Sequence, residues 1–298
     1  MRFANLSISF FLYMTIQEAL IYGRSQLQQT SPTPVLDARL LLQHVLQVEH
    51  SFLVAHDDVS LTAVQTAQYH QLIARARQKE PIPYLIGMAP FYGCDFQVTP
   101  AVLIPRPETE LLVEKALHWA RQRQAANTAP PLVVDIGTGS GCIAITLARH
   151  LPQAQVIAVD ISSEALTIAQ TNAQRLTPGR VQFQHGSLLS PVTHAIDLIL
   201  ANLPYITDQE WTDLDDGVKL YEPAVALKGG RDGLDLIKNL LHQATAKLNP
   251  DGAILLEIGW RQGAATQELA QTCFPTARVQ VFPDLAGHDR IVMISDIA

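Results

Sequence analysis

A chain of 298 residues with 48% hydrophobic content exceeds one typical domain and can fill a sizeable core, which excludes general disorder. Its formal net charge of -7 excludes broad electrostatic adhesion to nucleic acid or to an anionic membrane, so a small molecule or a protein is the default partner. Cys94, Cys142 and Cys273 are odd in number and widely spaced, with no CxxC or Cys/His cluster. Neither a disulfide framework nor a metal site is expected, and a reducing compartment, the cytoplasm, is.

The chain opens on "NLSISFFLYM" (5–14), which is apolar but too short to span a bilayer and lacks a small-residue cleavage site. Met14 begins a more ordinary soluble sequence, so an over-called translation start is expected, with a weak signal or anchor as the alternative. From Thr15 to about Glu80 the pattern is helical, through "IQEALIYGRSQL", "VLDARLLLQHVLQV" and "SLTAVQTAQYHQLIARARQKE", and no good strand interrupts it. Residues 1–80 are therefore read as an N-terminal extension and helical bundle. Prolines and glycines crowd 81–107, which reads as a joint with room for a short hairpin.

Beyond the joint comes "RPETELLVEKALHWARQR", where Pro107 suits a first helical position and Glu108 and Glu110 suit the positive end of the helix dipole. Arg106 and Glu108 are read as the start of this helix, with a reach into a site as the alternative. Strand and helix then alternate to the end of the chain. The strands are "LVVDIG" (132–137), "VIAVD" (156–160), "VQFQHG" (181–186), "DLILAN" (197–202), "AILLEIG" (253–259), "RVQVF" (278–282) and "RIVMIS" (290–295). Their near-continuous apolar character predicts an α/β domain over 108–298, a parallel sheet covered on both faces, with ligands beyond the strand C-termini.

Three clusters at strand ends carry chemistry. In "DIGTGSGC", Gly137, Gly139 and Gly141 leave the first strand and open a helix, yet the third glycine comes one residue too early for a dinucleotide fingerprint. Asp160 closes the second strand, where a carboxylate can accept both hydroxyl hydrogens of a ribose. Asp135 can orient the loop or meet an ammonium group. The combination resembles the S-adenosylmethionine site of class I methyltransferases, whose Rossmann-like seven-stranded sheet it implies. Asp135, Gly137, Thr138, Gly139, Ser140, Gly141, Asp160 and Ile161 are the residues expected on that cofactor, with Ser187 and Leu188 at its adenine end.

The third cluster is Asn202-Leu203-Pro204-Tyr205. A nitrogen conjugated to a carbonyl or a heteroaromatic ring is a poor nucleophile, because its lone pair is delocalised. Two acceptors placed on its NH2 hydrogens favour a geometry in which that lone pair faces an electrophile. Asn202 offers a side-chain carbonyl and Leu203 a main-chain one; Pro204 fixes the loop and Tyr205 offers a ring face. Asn202, Pro204 and Tyr205 are therefore the expected catalytic residues, Asn202 to Tyr205 the substrate cradle, and Asn202 a neighbour of the cofactor as well. No catalytic base is required, and none of the ten histidines forms a constellation.

Across nearly its whole length the chain is similar to the protein-(glutamine-N5) methyltransferases of peptide chain release factors, the HemK-like family. "DARLLLQHVL", "PIPYLIG", "VLIPRPETE", "DIGTGSG", "NLPY", "YEPAVALKGGRDGL", "EIG" and "DLAGHDR" occur in that family's order. The resemblance implies a protein substrate, the glutamine of a Gly-Gly-Gln loop, gripped with the help of the helical bundle. Leu203 departs from the family's Asn-Pro-Pro-Tyr, keeping the carbonyl while giving up ring rigidity.

Glutamine methylation of a ribosomal protein and N6-adenine methylation use the same cradle and stay open, as does a non-catalytic binding protein. Against adenine stands the acidic run Asp208, Glu210, Asp213, Asp215, Asp216 and Glu222, which would repel a phosphate backbone and could instead meet a basic protein loop under Trp211 and Tyr221. Glu257, Asp289 and Arg290 are read as structural. A monomer without nucleic-acid or membrane partners is the expectation.

Overall fold

The computed structural model describes residues 14–125 and 129–297. The apolar stretch 5–14 therefore lies, except for Met14, outside the described residues. By internal packing the chain divides into two units: one takes the residues up to Gly87 together with Asp216–Tyr221, the other takes the remainder.

In the first unit α1 (Ile16–Leu27), α2 (Pro34–Leu46), α3 (His50–Ala55), α4 (Ala63–Arg77) and α5 (Ile82–Ile86) follow one another. Thr15 with Glu18, and Thr62 with Gln65, form capping boxes that satisfy the first N–H groups of α1 and α4. Their inner faces bury Ile16, Leu27, Leu41, Leu42, Leu53, Tyr69 and Ile73 in one core. The Tyr69 hydroxyl, inside that core, donates to the Ala38 carbonyl at 3.1 Å. Extended structure among the described residues here is a single bridge between Thr15 and Ser60.

The Pro/Gly-rich stretch 81–107 contains the division between the two units, at Gly87 and Met88, and carries secondary structure on either side of it. α5 forms in it because Pro83 falls in a first turn, where no N–H is needed, and Gly87 caps the end at φ 76°. A hairpin follows, β1 (Met88–Phe91) paired antiparallel with β2 (Cys94–Gln97). Leu85 is buried with the bundle, whereas Phe91 and Phe96 are buried with the sheet, so each half of the stretch belongs to a different core.

The second unit continues with α6 (Thr109–Ala125), β3 (Leu132–Ile136), α7 (Cys142–His150), β4 (Gln155–Asp160), α8 (Ser163–Leu176), β5 (Val181–His185), β6 (Ile196–Asn202), β7 (Ile206–Thr207) and α9 (Asp208–Asp213). The next helix, α10 (Asp216–Tyr221), is the segment that packs with the first unit. The second unit closes with β8 (Lys228–Gly230), α11 (Asp235–Ala244), β9 (Leu248–Glu257), α12 (Gly263–Cys273), β10 (Arg278–Pro283) and β11 (Asp289–Ser295). The main sheet has seven strands in the order β10-β11-β9-β6-β3-β4-β5.

The sheet is mixed rather than parallel throughout, because β11 runs antiparallel to both β9 and β10. Its link to β10 is too short for a crossover helix: the Asp284 carboxylate accepts the N–H groups of Ala286 and His288 at 2.9 and 3.0 Å, and Gly287 turns at φ 83°. The other five strands are parallel, and the order reverses between β3 and β6.

Side chains alternate between the faces of this sheet with period two. Val133, Leu198, Leu200, Ala253 and Leu255 meet α6 and α7 in one core, while Val134, Ile199, Ala201, Ile254 and Leu256 meet α11 in the other. Continued by one step, that alternation puts Asp135, Asn202 and Glu257 on the α6/α7 face. Asn202 and Glu257 are also direct partners in the β6–β9 register.

Candidate active site

A cleft opens at the C-terminal ends of β3, β4 and β6, beside the point where strand order reverses. Its wall includes Gly137 to Ser140, Asp160, Ile161, Ser187, Leu188 and Asn202 to Pro204. The glycine loop is hung on β4, since the N–H groups of Gly137 and Thr138 both donate to the Val159 carbonyl, at 2.8 and 3.0 Å. At the tip, the Gly139 N–H donates to Asp160 Oδ2 at 2.8 Å, and the Ser162 N–H donates to Oδ1 at 2.9 Å. One carboxylate thereby holds both the loop tip and the start of α8, with lone pairs left toward the cleft.

Gly139 sits at φ 54°, and a Cβ there would point into open space with nothing within 4 Å. The loop leaves room for a ligand at that point. Gly141 serves packing instead, since it adopts φ 82° and a Cβ would come within 2.8 Å of Ile145 Cδ1 and 3.2 Å of Ala169 Cβ, so it permits α7 to lie on α8. It does not line the cleft.

Asp135 does not line it either. Its place in the period-two alternation aims it under α7, where it accepts the Thr138 hydroxyl at 2.6 Å and the Ala144 N–H at 3.2 Å. Burial pushes its carboxyl up to about 7, and its Oδ1 is without a hydrogen-bond partner. Of its two expected roles, orienting the loop is the one these contacts describe.

At the far end, Leu188 is buried at φ 50° and Ser187 is exposed, its carbonyl accepting the Ser190 N–H at 3.0 Å. Ile161 lies across the mouth, 59% exposed. An acceptor pair on Asp160, open space over Gly139 and apolar walls from Ile161 and Leu188 suit a nucleoside, with hydroxyls at one end and a flat ring at the other.

The asparagine motif closes the opposite wall. Asn202 ends β6 with its Nδ2 donating to the Thr109 hydroxyl at 3.1 Å. Leu203 is buried and reaches to 3.3 Å from where a Gly137 Cβ would stand, so packing supplies rigidity where the related motif has a second proline ring. Tyr205 is not part of the cleft wall. It packs beside Gly259, its carbonyl accepts Gln262 Nε2 at 3.0 Å, and burial, with the charge of Glu257 nearby, pushes its phenol up to about 12.

Several residues that support this site were not singled out in the sequence. Gln262 bridges the carbonyls of Tyr205 and Asp232, and Asn172 ties Ser140 to Gln97 across 2.9 Å bonds. Gly229 backs the motif: a Cβ there would fall 2.6 Å from the Pro204 carbonyl oxygen and 2.8 Å from Tyr205 Cα, main-chain atoms that cannot swing aside. The Gly229→Ala protein is expected to lose about 100-fold in turnover through displacement of this loop. Calorimetric titration with S-adenosylmethionine, the cofactor that the sequence resemblance implies, should show affinity retained, because Gly229 is not on the cleft wall.

Two expectations about charge need correction. Arg106, read as a helix start, lines the cleft and pairs with Glu222 at 2.5 Å, while α6 begins only at Thr109. Glu222 is correspondingly buried and also accepts the Ile104 N–H, so it is an internal strut and not part of an acidic wall. Glu210 caps α9 through Thr207, Asp216 pairs with Lys79, and the Tyr221 hydroxyl donates to the Gln78 carbonyl. Trp211 lies under the Lys228 ammonium, 4.3 Å from ring centre to nitrogen. Among the described residues no group of three or more His, Cys, Asp or Glu is placed to hold a metal ion.

Residues 18–87 match the family model described as PrmC N-terminal domain, and residues 133–219 match one described as Methyltransferase domain. The chain is 41% identical to the release factor glutamine methyltransferase of Koribacter versatilis, over 94% of this chain and 98% of that one. It is 46% identical to the protein of that name from Enterococcus faecalis, over 72% and 75%, and 42% identical to that from Bordetella pertussis, over 87% and 93%. Among solved structures, a methyltransferase from Pyrococcus furiosus is similar in fold, with TM-score 0.53 and 18% identity over 76% of this chain and 98% of that one. The hMettl16 catalytic domain is similar too, with TM-score 0.54 and 15% identity over 70% and 77%.

Proposed function

The chain belongs to the release factor glutamine methyltransferases, and from that premise we propose how its residues carry out S-adenosylmethionine-dependent methylation of the glutamine in the Gly-Gly-Gln loop of a peptide chain release factor. The observation that carries the reading is Asn202 at the end of β6: Thr109 takes its amide nitrogen, which leaves its carbonyl oxygen for a donor in the cleft.

When bound, S-adenosylmethionine supplies an electrophilic methyl group on sulfur. Asp160 would hold its ribose hydroxyls, Gly137 to Ser140 would lie along it, and Ile161, Ser187 and Leu188 would surround its adenine. Asn202 Oδ1 and the Leu203 carbonyl accept the two NH2 hydrogens of the glutamine amide and hold its nitrogen toward the methyl group. Transfer would form the N–C bond as the C–S bond breaks, with S-adenosylhomocysteine as the leaving group, and the N-methylated amide would release its proton to water. Pro204 keeps the Leu203 carbonyl in place, and Tyr205 acts from behind the cleft, through the loop it anchors.

We assign the helical residues up to Gly87, with Asp216–Tyr221, to gripping the release factor outside its Gly-Gly-Gln loop. The family match over residues 18–87, separate from the methyltransferase match over 133–219, is in keeping with a role for the bundle apart from methyl transfer. Cytoplasmic placement follows from the substrate, and three free cysteines suit it; among the described residues no helix is long and apolar enough to cross a membrane.

The test supplies labelled S-adenosylmethionine with a release factor, with its loop Gln-to-Ala variant, with a ribosomal protein fraction and with duplex DNA, then locates the methyl group by mass spectrometry. Label on the loop glutamine, absent from the variant, is the expected result. Label in adenine, or in a ribosomal protein alone, would overturn the substrate assignment while keeping the cradle.

A further inference from the structure

Glu257 is buried, with 1% of its surface exposed, and its Oε2 has no hydrogen-bond partner. Nothing in the methyl transfer described above uses it. It ends β9 as Asn202 ends β6, the two being register partners on the same face of the sheet, and the Asn202 amide donates to Thr109 at the start of α6 at 3.1 Å. Its carboxyl lies beside Thr109 and Asn202, whose polar groups favour its charged form. We infer that Glu257, acting through Thr109, is a positioning residue that fixes which end of the Asn202 amide faces the cleft.

Donor and acceptor polarity sets this arrangement, and its value to the enzyme rests on the methyl-transfer reading of Asn202. A carboxylate only accepts, so an ionised Glu257 draws the Thr109 proton to itself. The Thr109 oxygen must then accept, and the Asn202 NH2 turns toward it, as the 3.1 Å bond records. An amide is planar, so its carbonyl oxygen is left on the cleft side, where an NH2 group of a substrate has to be met. If the chain of bonds ran the other way, two NH2 groups would face each other across the cleft.

Protonation of Glu257 permits that reversal. A neutral carboxyl can donate to Thr109, Thr109 can donate to the Asn202 oxygen, and the amide flips. Around Glu257 stand Arg290 from β11, Glu108 before α6, Tyr205 after β6 and Cys142 on α7. Burial is the largest influence on the carboxyl and pushes it up to about 7, with Thr109, Arg290 and Asn202 opposing the rise and Glu108 adding to it. The orienting form is thus the one present above neutrality.

The same burial makes an ionised Glu257 unfavourable to the fold. A folded-state value raised from 4.5 to about 7 stabilises the protein fully below 4.5, and this contribution is lost as the pH rises through 7. A purely structural carboxyl would lower the melting temperature when replaced. A positioning one held at a cost to stability should not.

The test compares the full chain with Glu257→Gln, Thr109→Val, Thr109→Ser, the Glu257→Gln/Thr109→Val double variant and Asn202→Ala, using a release factor and S-adenosylmethionine at pH 6 to 9. Glu257→Gln presents either end of an amide to Thr109, and at pH 8 its kcat should fall about 100-fold, a misplacement effect, with KM and donor affinity changed far less. Its melting temperature at pH 8 should equal or exceed that of the unchanged protein. Thr109→Val should lose as much, the double variant no more than either, and Thr109→Ser should restore activity. The unchanged enzyme should lose turnover below about pH 7 and Glu257→Gln should not. Full activity in Glu257→Gln, or a fall in melting temperature together with loss of donor binding, would overturn the inference alone; an Asn202→Ala protein with unchanged transfer would overturn the reading beneath it.

Discussion

Replacing Asn202 by alanine is expected to lower methyl transfer by about 1000-fold, the size of effect seen when a preorganised polar group is withdrawn from a transition state. The fold should survive, because the hydrogen bond lost to Thr109 is worth only about 1 kcal/mol and Asn202 is half-buried at a strand end. Donor binding should survive as well, since Asp160 and the glycine loop are untouched. Asn202→Asp is a sharper probe than it first looks. It keeps an oxygen toward the cleft, but its second oxygen competes with Glu257 for the Thr109 proton and sets a further charge beside a buried carboxyl. Single-turnover measurements with saturating S-adenosylmethionine should therefore find Asn202→Asp nearly as impaired as Asn202→Ala.

Loss of Asp160 should act on a different quantity. Its two oxygens accept the N–H groups of Gly139 and Ser162, so the Asp160→Ala protein loses two charge-assisted bonds that shape the cleft, in addition to the acceptor for the ribose. A loss of about 2.7 kcal/mol in donor binding corresponds to roughly 100-fold in Kd. Calorimetry should detect this even without a release factor present. Asp160→Asn, which keeps one acceptor and turns the other into a donor, should fall between. Unchanged affinity in Asp160→Ala would remove Asp160 from the donor site and shift attention to the wall near Ser187.

The central strands were legible because each packs against helices on both faces and so reads as an apolar run, whereas the edge strands β5 and β10 are only partly buried. Asn202, Asp160 and Glu257 all close such runs. The helices α9 and α10 were not, because an acidic segment with one lysine looks like a solvated loop until Thr207 and Glu210 are seen to cap it. Glu222 shows why charge alone misleads: its partner Arg106 is 116 residues away, and no local pattern marks the pair. Thr109 escaped for the same reason, since it meets Asn202 across 93 residues. The phase of the alternation could have exposed Glu257, because it continues the same side of β9 as Ala253 and Leu255. The antiparallel β11 was hidden because its own residues are as apolar as a parallel strand's, and only the short turn at Asp284 to His288 decides its direction.

α10 packs with the N-terminal bundle although the chain reaches it only after β6 and the asparagine motif, and this bears on how the protein is made. Domains emerging from the ribosome tend to fold in order, from the N-terminus. This bundle cannot do so to completion: it can collapse once Gly87 has emerged, but Lys79 and the Gln78 carbonyl wait for Asp216 and Tyr221. Translation must pass through most of the sheet before the first unit is finished, and a fragment cut at Gly87 would be a bundle still missing a piece of itself.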